Sequence, residues 1–327
     1  MDLIKEINHL RVEKKAVILA HNYQLPEIQD IADFVGDSLE LSRKAATTDA
    51  KIIVFCGVHF MAETAKILSP TKTVLLPDIR SGCPMADMIT VSDVQKLRRE
   101  NPKAEIVCYI NTSANVKAEC DICCTSSNAV DVVNSVTSDT VVFLPDRNLG
   151  NYVSKHTAKK KKMSHGGHGE HGEESVSSVL SVAKKMIIWN GFCPTHENLK
   201  LDDVVELKKQ YPAAKFVAHP ECTSDVLEHA DKITSTSGII KYVKTEPSKD
   251  FIIGTETAIL HRLKKENPGK NFIPASRKMF CPNMKYNNLE LLYESLQNLQ
   301  PEIDVPEKIR KRAFLTIDRM LQISCKL

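Results

Sequence analysis

No apolar run in this chain approaches the ~20 residues that a membrane-spanning helix requires, so it offers no candidate span. Charge of either sign is not in excess. The 44 Lys and Arg nearly balance 41 Asp and Glu and leave a net +3, too little to argue for a nucleic-acid partner, and no basic helix or nucleic-acid motif is present. Small anionic ligands remain compatible with that balance. The opening MDLIKEINHLRVEKK lacks the apolar stretch of a signal peptide and reads as a short charged helix. The expectation is a cytoplasmic protein that engages neither membrane nor nucleic acid. A hydrophobic content of 42% and a charged content of 26% describe a globular chain, and 327 residues suffice for two or three domains.

Cysteine, by contrast, is plentiful. Ten in a chain expected to be kept reduced suggest metal or redox chemistry rather than disulfides. Cys83, Cys193 and Cys281 are each followed by proline and stand at equivalent points of an internal triplication. The strand-like runs AVILAHNY, EIVCYINT and KFVAHPEC open the three repeats, with His21, Tyr109 and His219 as anchors. Cys83 and Cys281 each lie 62 residues after their anchor, whereas Cys193 lies 84 after Tyr109. Most of that excess falls on KKKKMSHGGHGEHGEE at 159–174. This insertion reads as a solvated, mobile loop, although the spacing of His165, His168 and His171 is also one that can take a stray metal ion.

In each repeat a first strand (16–21, 105–110, 214–219) leads through helical segments to a second (51–56, 140–144, 250–254). A third (72–76, 186–190, 271–275) then leads to the cysteine. Apolar strands alternating with helical patterns predict an α/β fold. The predicted form is three pseudo-threefold-related, three-layer αβα domains, each with a small parallel sheet, around a central site. The expected units are 1–86, 87–194 with the insertion, and 195–327 with C-terminal helices closing the outside. Such units place binding groups at the carboxyl ends of their strands. A repeat this small can also exchange its terminal helix with a neighbour.

The repeats align polar residues at those ends. Two residues after the anchors stand Tyr23, Asn111 and Glu221, and seventeen after them Ser38, Ser126 and Thr236. Residues i and i+2 of an extended segment face the same way, so each pair can point into one cavity. Ser38, Ser126 and Thr236 precede helical runs and fit helix N-caps; the same helix ends offer free N–H groups to carboxylates or phosphates.

Three cysteines leave a metal one position short, open to a substrate oxygen. An iron–sulfur cluster and a three-cysteine zinc site both satisfy that count. Cys120, Cys123 and Cys124 form a local CxxCC run that can also bind metal, but it has no counterpart in the other repeats. Cys56, Cys108, Cys222 and Cys325 read as core or incidental residues, with Cys222 next to Glu221.

The motifs AHNYQ (20–24), GDSLELS (36–42), FCGVHFMAET (55–64), CPMADM (83–88), YINTSA (109–114), CTSSNA (124–129), LPDRNLG (144–150), GFCPTHE (191–197), HPEC (219–222), STSG (235–238), GTE (254–256) and FCPNM (280–284) cover nearly the whole chain. With them the chain resembles the quinolinate synthase family, iron–sulfur enzymes of de novo NAD biosynthesis. The resemblance implies a transferase that condenses iminoaspartate (iminosuccinate) with dihydroxyacetone phosphate to quinolinate, releasing phosphate and two waters. It implies one [4Fe-4S] cluster per chain on Cys83, Cys193 and Cys281, with one open iron. It implies dicarboxylate and phosphate contacts by His21, Ser38, Tyr109, Ile110, Asn111, Ser126, His219, Pro220 and Thr236. Glu221 is implied as a general acid/base and Tyr23 as an aid to cyclisation and proton transfer, with His21, Tyr109 and His219 as further catalytic groups. An L-aspartate oxidase or dehydrogenase would supply the imine. The chain departs from the resemblance in its His-rich insertion and in lacking the extra cysteines that some members carry near the third ligand. Two rival readings are another cluster-dependent hydro-lyase and a cluster-based iron or redox sensor.

Overall fold

The computed structural model describes residues 2–157 and 184–324. The His-rich insertion and Cys325 lie outside the described residues. Within these, the strands form three four-stranded sheets, all parallel. The first contains β1 (Ala16–His21), β2 (Phe34–Gly36), β3 (Ile52–Cys56) and β4 (Thr73–Leu75) in the order β2-β1-β3-β4. The second contains β5 (Glu105–Tyr109), β6 (Ile122–Cys124), β7 (Thr140–Leu144) and β8 (Lys185–Ile188) in the order β6-β5-β7-β8. The third contains β9 (Lys215–Ala218), β10 (Lys232–Ile233), β11 (Asp250–Gly254) and β12 (Asn271–Pro274) in the order β10-β9-β11-β12. Helices flank each sheet, so the fold is the three-layer α/β architecture expected, built three times with one strand order. Runs such as AVILAH and IIVFC are buried almost throughout, as parallel strands covered on both faces must be.

The expected first, second and third strands of each repeat are present. The edge strands β2, β6 and β10 were not foreseen; at three, three and two residues they are too short to carry a periodic signal. One clamp recurs under all three sheets. Asp33, Asp121 and Asp231 accept the backbone N–H of Ile18, Ile106 and Phe216 at 2.8, 2.7 and 2.9 Å, fifteen residues back in each case. Each carboxylate also holds a basic side chain: Arg11, Arg98 and Lys215. The clamp ties the start of each edge strand to the middle strand beside it and so fixes the sheet's register.

The C-terminal helices do not cover the third sheet. Leu292 and Leu296 of the helix Leu289–Asn298 pack with Ile7 of the N-terminal helix Leu3–Glu13 and with Ile18 of β1. The helix Glu307–Ser324 lies on the second sheet. There Thr316 meets Cys123 at 3.4 Å, and Arg319 and Arg312 pair with Glu105 and Glu119, both at 2.9 Å. The end of the chain therefore straps the first two sheets together.

Candidate active site

The middle strands β1, β5 and β9 end at or beside the anchors, and their carboxyl ends converge. The cavity between them, of about 330 Å³, is lined by residues of all three repeats. His21, Tyr23, Ser38, Tyr109, Asn111, Ser126, His219, Glu221 and Thr236 line it, as do Cys83, Cys193 and Cys281. Ile110 and Pro220 are not among the lining residues. Ile110 is packed in the core, with its N–H given to the Cys124 carbonyl at 2.8 Å, and Pro220 faces a second cavity.

Of the nine cysteines described, those three are half-buried and the other six are buried. Cys193 and Cys281 are the N-caps of short helices that start on their prolines, and Cys83 precedes the turn Ala86–Met88. Each sulfur accepts the N–H of the residue three positions on: Ala86, His196 and Met284. Three turns are thus built alike, each aiming a thiol and a supporting N–H at one space. Burial holds all three thiols above their ordinary range, Cys83 at about 12, so a metal bound here must displace their protons.

The three sulfurs do not all lie within 4.8 Å of one another. A single tetrahedral ion at ~2.3 Å from each would hold them ~3.8 Å apart. The three sulfurs are therefore spread too widely for one tetrahedral ion bound by all of them. A different trio, Cys193, His196 and Glu221, does fall within 4.8 Å and brings one sulfur, one nitrogen and one oxygen, a set that can hold a metal ion. The turns are also cross-tied. Trp189 Nε1 donates to the Met88 carbonyl at 2.7 Å, and Thr195 donates to the Cys281 sulfur. At Gly191 an added Cβ would stand 2.5 Å from the Pro145 carbonyl oxygen, so the approach to Cys193 has room only for glycine.

Beyond the thiols runs a continuous hydrogen-bonded chain. Thr236 Oγ1 meets the Tyr23 hydroxyl at 2.9 Å, which meets Thr255 Oγ1 at 2.6 Å, which meets His196 Nε2 at 2.8 Å. His196 Nδ1 then lies 2.7 Å from Glu221 Oε2. The same Nδ1 lies 3.2 Å from Cys193 Sγ, and a proton on it, placed between that sulfur and the carboxylate, makes Nε2 the acceptor, so Thr255 donates to it and in turn accepts from Tyr23. His21 and His219 are oriented alike: the Nδ1 of each accepts the N–H of the residue two on, Tyr23 and Glu221, at 3.2 and 3.3 Å. Their Nε2–H groups are left free of that bond, and that of His219 reaches Ser126 Oγ at 3.1 Å.

Burial, with the Lys285 ammonium as a second cause at His21, lowers both imidazoles to about 3; they are neutral donors at neutral pH. Burial alone would raise Glu221, but His196 and His219 beside it bring its carboxyl down to about 2. Burial and then that carboxylate push the Tyr109 phenol well up. Glu221 Oε1 and Asn111 Oδ1 are buried with no hydrogen-bond partner, two acceptors left for a ligand to satisfy.

The hydroxyl positions need a correction. Ser38 and Thr236 are the first helical residues, not caps; Asp37 and Ser235 cap those helices, and Ser126 lies three residues ahead of the helix Ala129–Ser135. Their hydroxyls are therefore not consumed by capping. The second cavity, of about 570 Å³, shares Asp37 and Ser126 with the first and includes Arg43, Lys241 and Pro220 in its wall. In the wall of the second cavity Ser237 Oγ donates to Glu40 Oε2, linking the third repeat to the first. The CxxCC run takes no part in the site. Cys120, Cys123 and Cys124 are buried under the helix Glu307–Ser324 and do not reach the cavity, and neither does Cys222.

His196, Thr255, Glu256 and Lys285 were missed. Glu256 Oε1 accepts from Lys285 Nζ at 3.0 Å and from the Cys281 N–H at 3.2 Å, and so fixes the third turn. The positions equivalent to His196 are Ala86 and Met284, and those equivalent to Thr255 are Gly57 and Pro145. A search for repeated polar positions passes over residues present in one copy. Only the adjacency of His196 to Cys193 could have found it.

The family model described as Quinolinate synthetase A protein matches residues 5–322. The chain belongs to that family. Curated relatives in the family share half of its residues over essentially full length. Quinolinate synthase 1 of Methanosarcina acetivorans is 50% identical over 325 residues, 99% of each chain. The quinolinate synthase of Dehalococcoides mccartyi (strain 195) is 50% identical over 98% of this chain and 97% of its own. That of Geotalea uraniireducens is 50% identical over 97% and 96%.

Proposed function

We propose that this chain is a quinolinate synthase of de novo NAD biosynthesis, a cytoplasmic transferase that joins iminoaspartate to dihydroxyacetone phosphate and releases phosphate and two waters. Full-length membership of the family supports the activity. The observation that carries the site is the meeting, in one cavity, of three like-built Cys-Pro turns with buried carboxylate, imidazole and phenol groups. Among the described residues no helix is long and apolar enough to cross a membrane.

Cys83, Cys193 and Cys281 would hold a [4Fe-4S] cluster; when bound, it supplies a Lewis-acidic iron with one open position that favours the departure of hydroxide. The remaining roles belong to the chain's own side chains. The neutral Nε2–H groups of His21 and His219, the hydroxyls of Ser38, Ser126 and Thr236, and Asn111 bind the carboxylates and phosphate and set their orientation. Ile110 and Pro220 shape the wall behind them. Glu221 is ionised and has one oxygen free, so it can take a proton from the condensing carbon and return it to a leaving oxygen. Tyr23, joined to Glu221 through Thr255 and His196, holds the proton needed as the ring closes, and Tyr109 beside Glu221 is a second donor. An L-aspartate oxidase or dehydrogenase supplies the imine. The units 1–86, 87–194 and 195–327 each carry one turn of the site.

Iron and acid-labile sulfide content of anaerobically purified protein, with quinolinate formation measured on the same sample, tests the proposal. About four irons and four sulfides per chain with product are expected. Zinc on Cys193, His196 and Glu221 in place of iron, or a cluster without consumption of dihydroxyacetone phosphate, overturns it.

A further inference from the structure

The cavity's cysteine end opens to solvent between two loops, 77–84 and 275–286, where Pro84 and Pro282 are exposed beside their half-buried cysteines. Ile79, Phe280 and Tyr286 are 54%, 47% and 38% exposed. Three of the eight exposed large apolar side chains among the described residues thus fall on these two short loops. The loops touch where the Arg80 guanidinium lies 5.0 Å above the Tyr286 ring, and within the second Lys285 Nζ lies 5.4 Å from the Phe280 ring. Arg277 and Lys278 are exposed on the same rim. Asp78 on the first loop is held by Arg80 at 2.6 Å, and Lys285 is paired with the buried Glu256 at 3.0 Å. The thiols are therefore framed by an apolar patch with a basic border, and such a patch marks a docking surface.

We propose that this rim receives an acidic carrier protein that hands over a preassembled [4Fe-4S] cluster, an inference that rests on the cluster reading above. A cluster in transit keeps sulfur ligands from its donor until new ones replace them, so the donor's cysteines must reach the mouth where the exposed Pro84 and Pro282 flank the half-buried Cys83 and Cys281. The exchange is balanced. Each of the three thiols loses a proton as its sulfur bonds iron, the donor's released thiolates take up protons, and the cluster keeps its charge and oxidation state. The basic border would speed encounter with an acidic donor, and the apolar patch would hold it in place.

The test mixes cluster-free protein, under anaerobic conditions, with a purified acidic carrier protein loaded with one [4Fe-4S] cluster. Transfer is followed by visible circular dichroism, and a parallel sample is reconstituted with ferrous iron and sulfide alone. The charge-reversed pair Arg277→Glu/Lys278→Glu and the variant Ile79→Glu should each slow transfer from the carrier about tenfold or more, the pair also removing its salt dependence. Both should still acquire full iron and sulfide by chemical reconstitution. Unchanged transfer rates in these variants, or a wild-type protein that takes no cluster from the carrier, overturn the docking face while leaving the cluster standing. Failure of chemical reconstitution in the wild-type protein overturns the cluster reading and the docking proposal with it.

Discussion

The second sheet and the central cavity both concentrate cysteine, in opposite settings. In the sheet, Cys108 and Cys123 face each other across β5 and β6 with sulfurs 3.4 Å apart, and Cys124 beside them is held well above the ordinary thiol range by burial. In the cavity, Cys83, Cys193 and Cys281 stand on turns, partly open to solvent, each supported by the backbone N–H three residues on. Local spacing alone allows the first group as a metal site, since CxxCC resembles a ligand run, although it has no counterpart in the other repeats. Backbone conformation decides otherwise. Residues 122–124 are a strand whose side chains are spent on packing, whereas a Cys-Pro turn has a free sulfur and a donor to steady its charge.

Removing one sulfur from each region should separate the two most sharply. Cys193→Ala is expected to abolish iron retention and product formation. Cys123→Ala should retain full iron and turnover and cost on the order of 1 kcal/mol of stability. Iron content and a denaturant titration of both variants check this, and iron lost from the Cys123 variant would break the contrast.

Next in size are groups that serve chemistry in the cavity without serving the cluster. Glu221→Gln should lower turnover by about 10²–10⁴-fold with iron content unchanged, because an amide can neither take nor return the proton. Tyr23→Phe should keep the packing but break the chain between Thr236 and Thr255, with a smaller loss in turnover. Turnover per iron measures both; an unaltered rate in Glu221→Gln removes it as the acid/base.

The same division explains what the sequence made legible. Much of what is present in three copies could be read: the first, second and third strands, the anchors His21, Tyr109 and His219, the cysteines and the hydroxyl set, though not the short edge strands or the aspartate clamp. Repetition supplies its own control, since chance seldom fills three equivalent positions with chemistry. The family resemblance added the substrates and the cluster, which no spacing could give. His196, Thr255, Glu256 and Lys285 occur once, and their partners lie far along the chain; His196 meets Thr255 59 residues away. That a terminal helix can pass to a neighbouring repeat was foreseen, but not where each one packs, because an amphipathic stripe shows that a helix packs but not on which sheet. Nor could the distinction between a cap and the first helical residue be read, a shift of one position at Ser38 and Thr236.

Acid should act on the cavity before the sheets. His21 and His219 bind protons near pH 6.5 when unfolded but only near 3 when folded. The unfolded state then holds more protons between those values, so stability is complete above about 6.5 and falls as pH drops toward 3. Glu221, lowered to about 2, adds to the loss at the acid end, and Asp146, raised by burial, opposes it. Thermal unfolding midpoints of cluster-free protein should decline below about pH 6.5, and His21→Asn should flatten the decline. A flat profile in the unsubstituted protein would show that these imidazoles are not buried neutral.

The smallest effect expected lies at the sheet's own repeated device. Asp231→Ala leaves the Phe216 N–H without its acceptor and frees Lys215, at a cost of about 1–2 kcal/mol, most of it from the unsatisfied backbone group, because the ion pair is largely exposed. The clamp lies at the far end of β9 from His219, and the bonds that fix Glu221 come from His196 and its own backbone. Iron content, turnover and pH profile should therefore stay as in the unsubstituted protein while the unfolding midpoint falls. A loss of turnover larger than the loss of folded protein would mean that sheet register and cavity geometry are coupled, and that the two regions divide their labour less completely than their cysteines suggest.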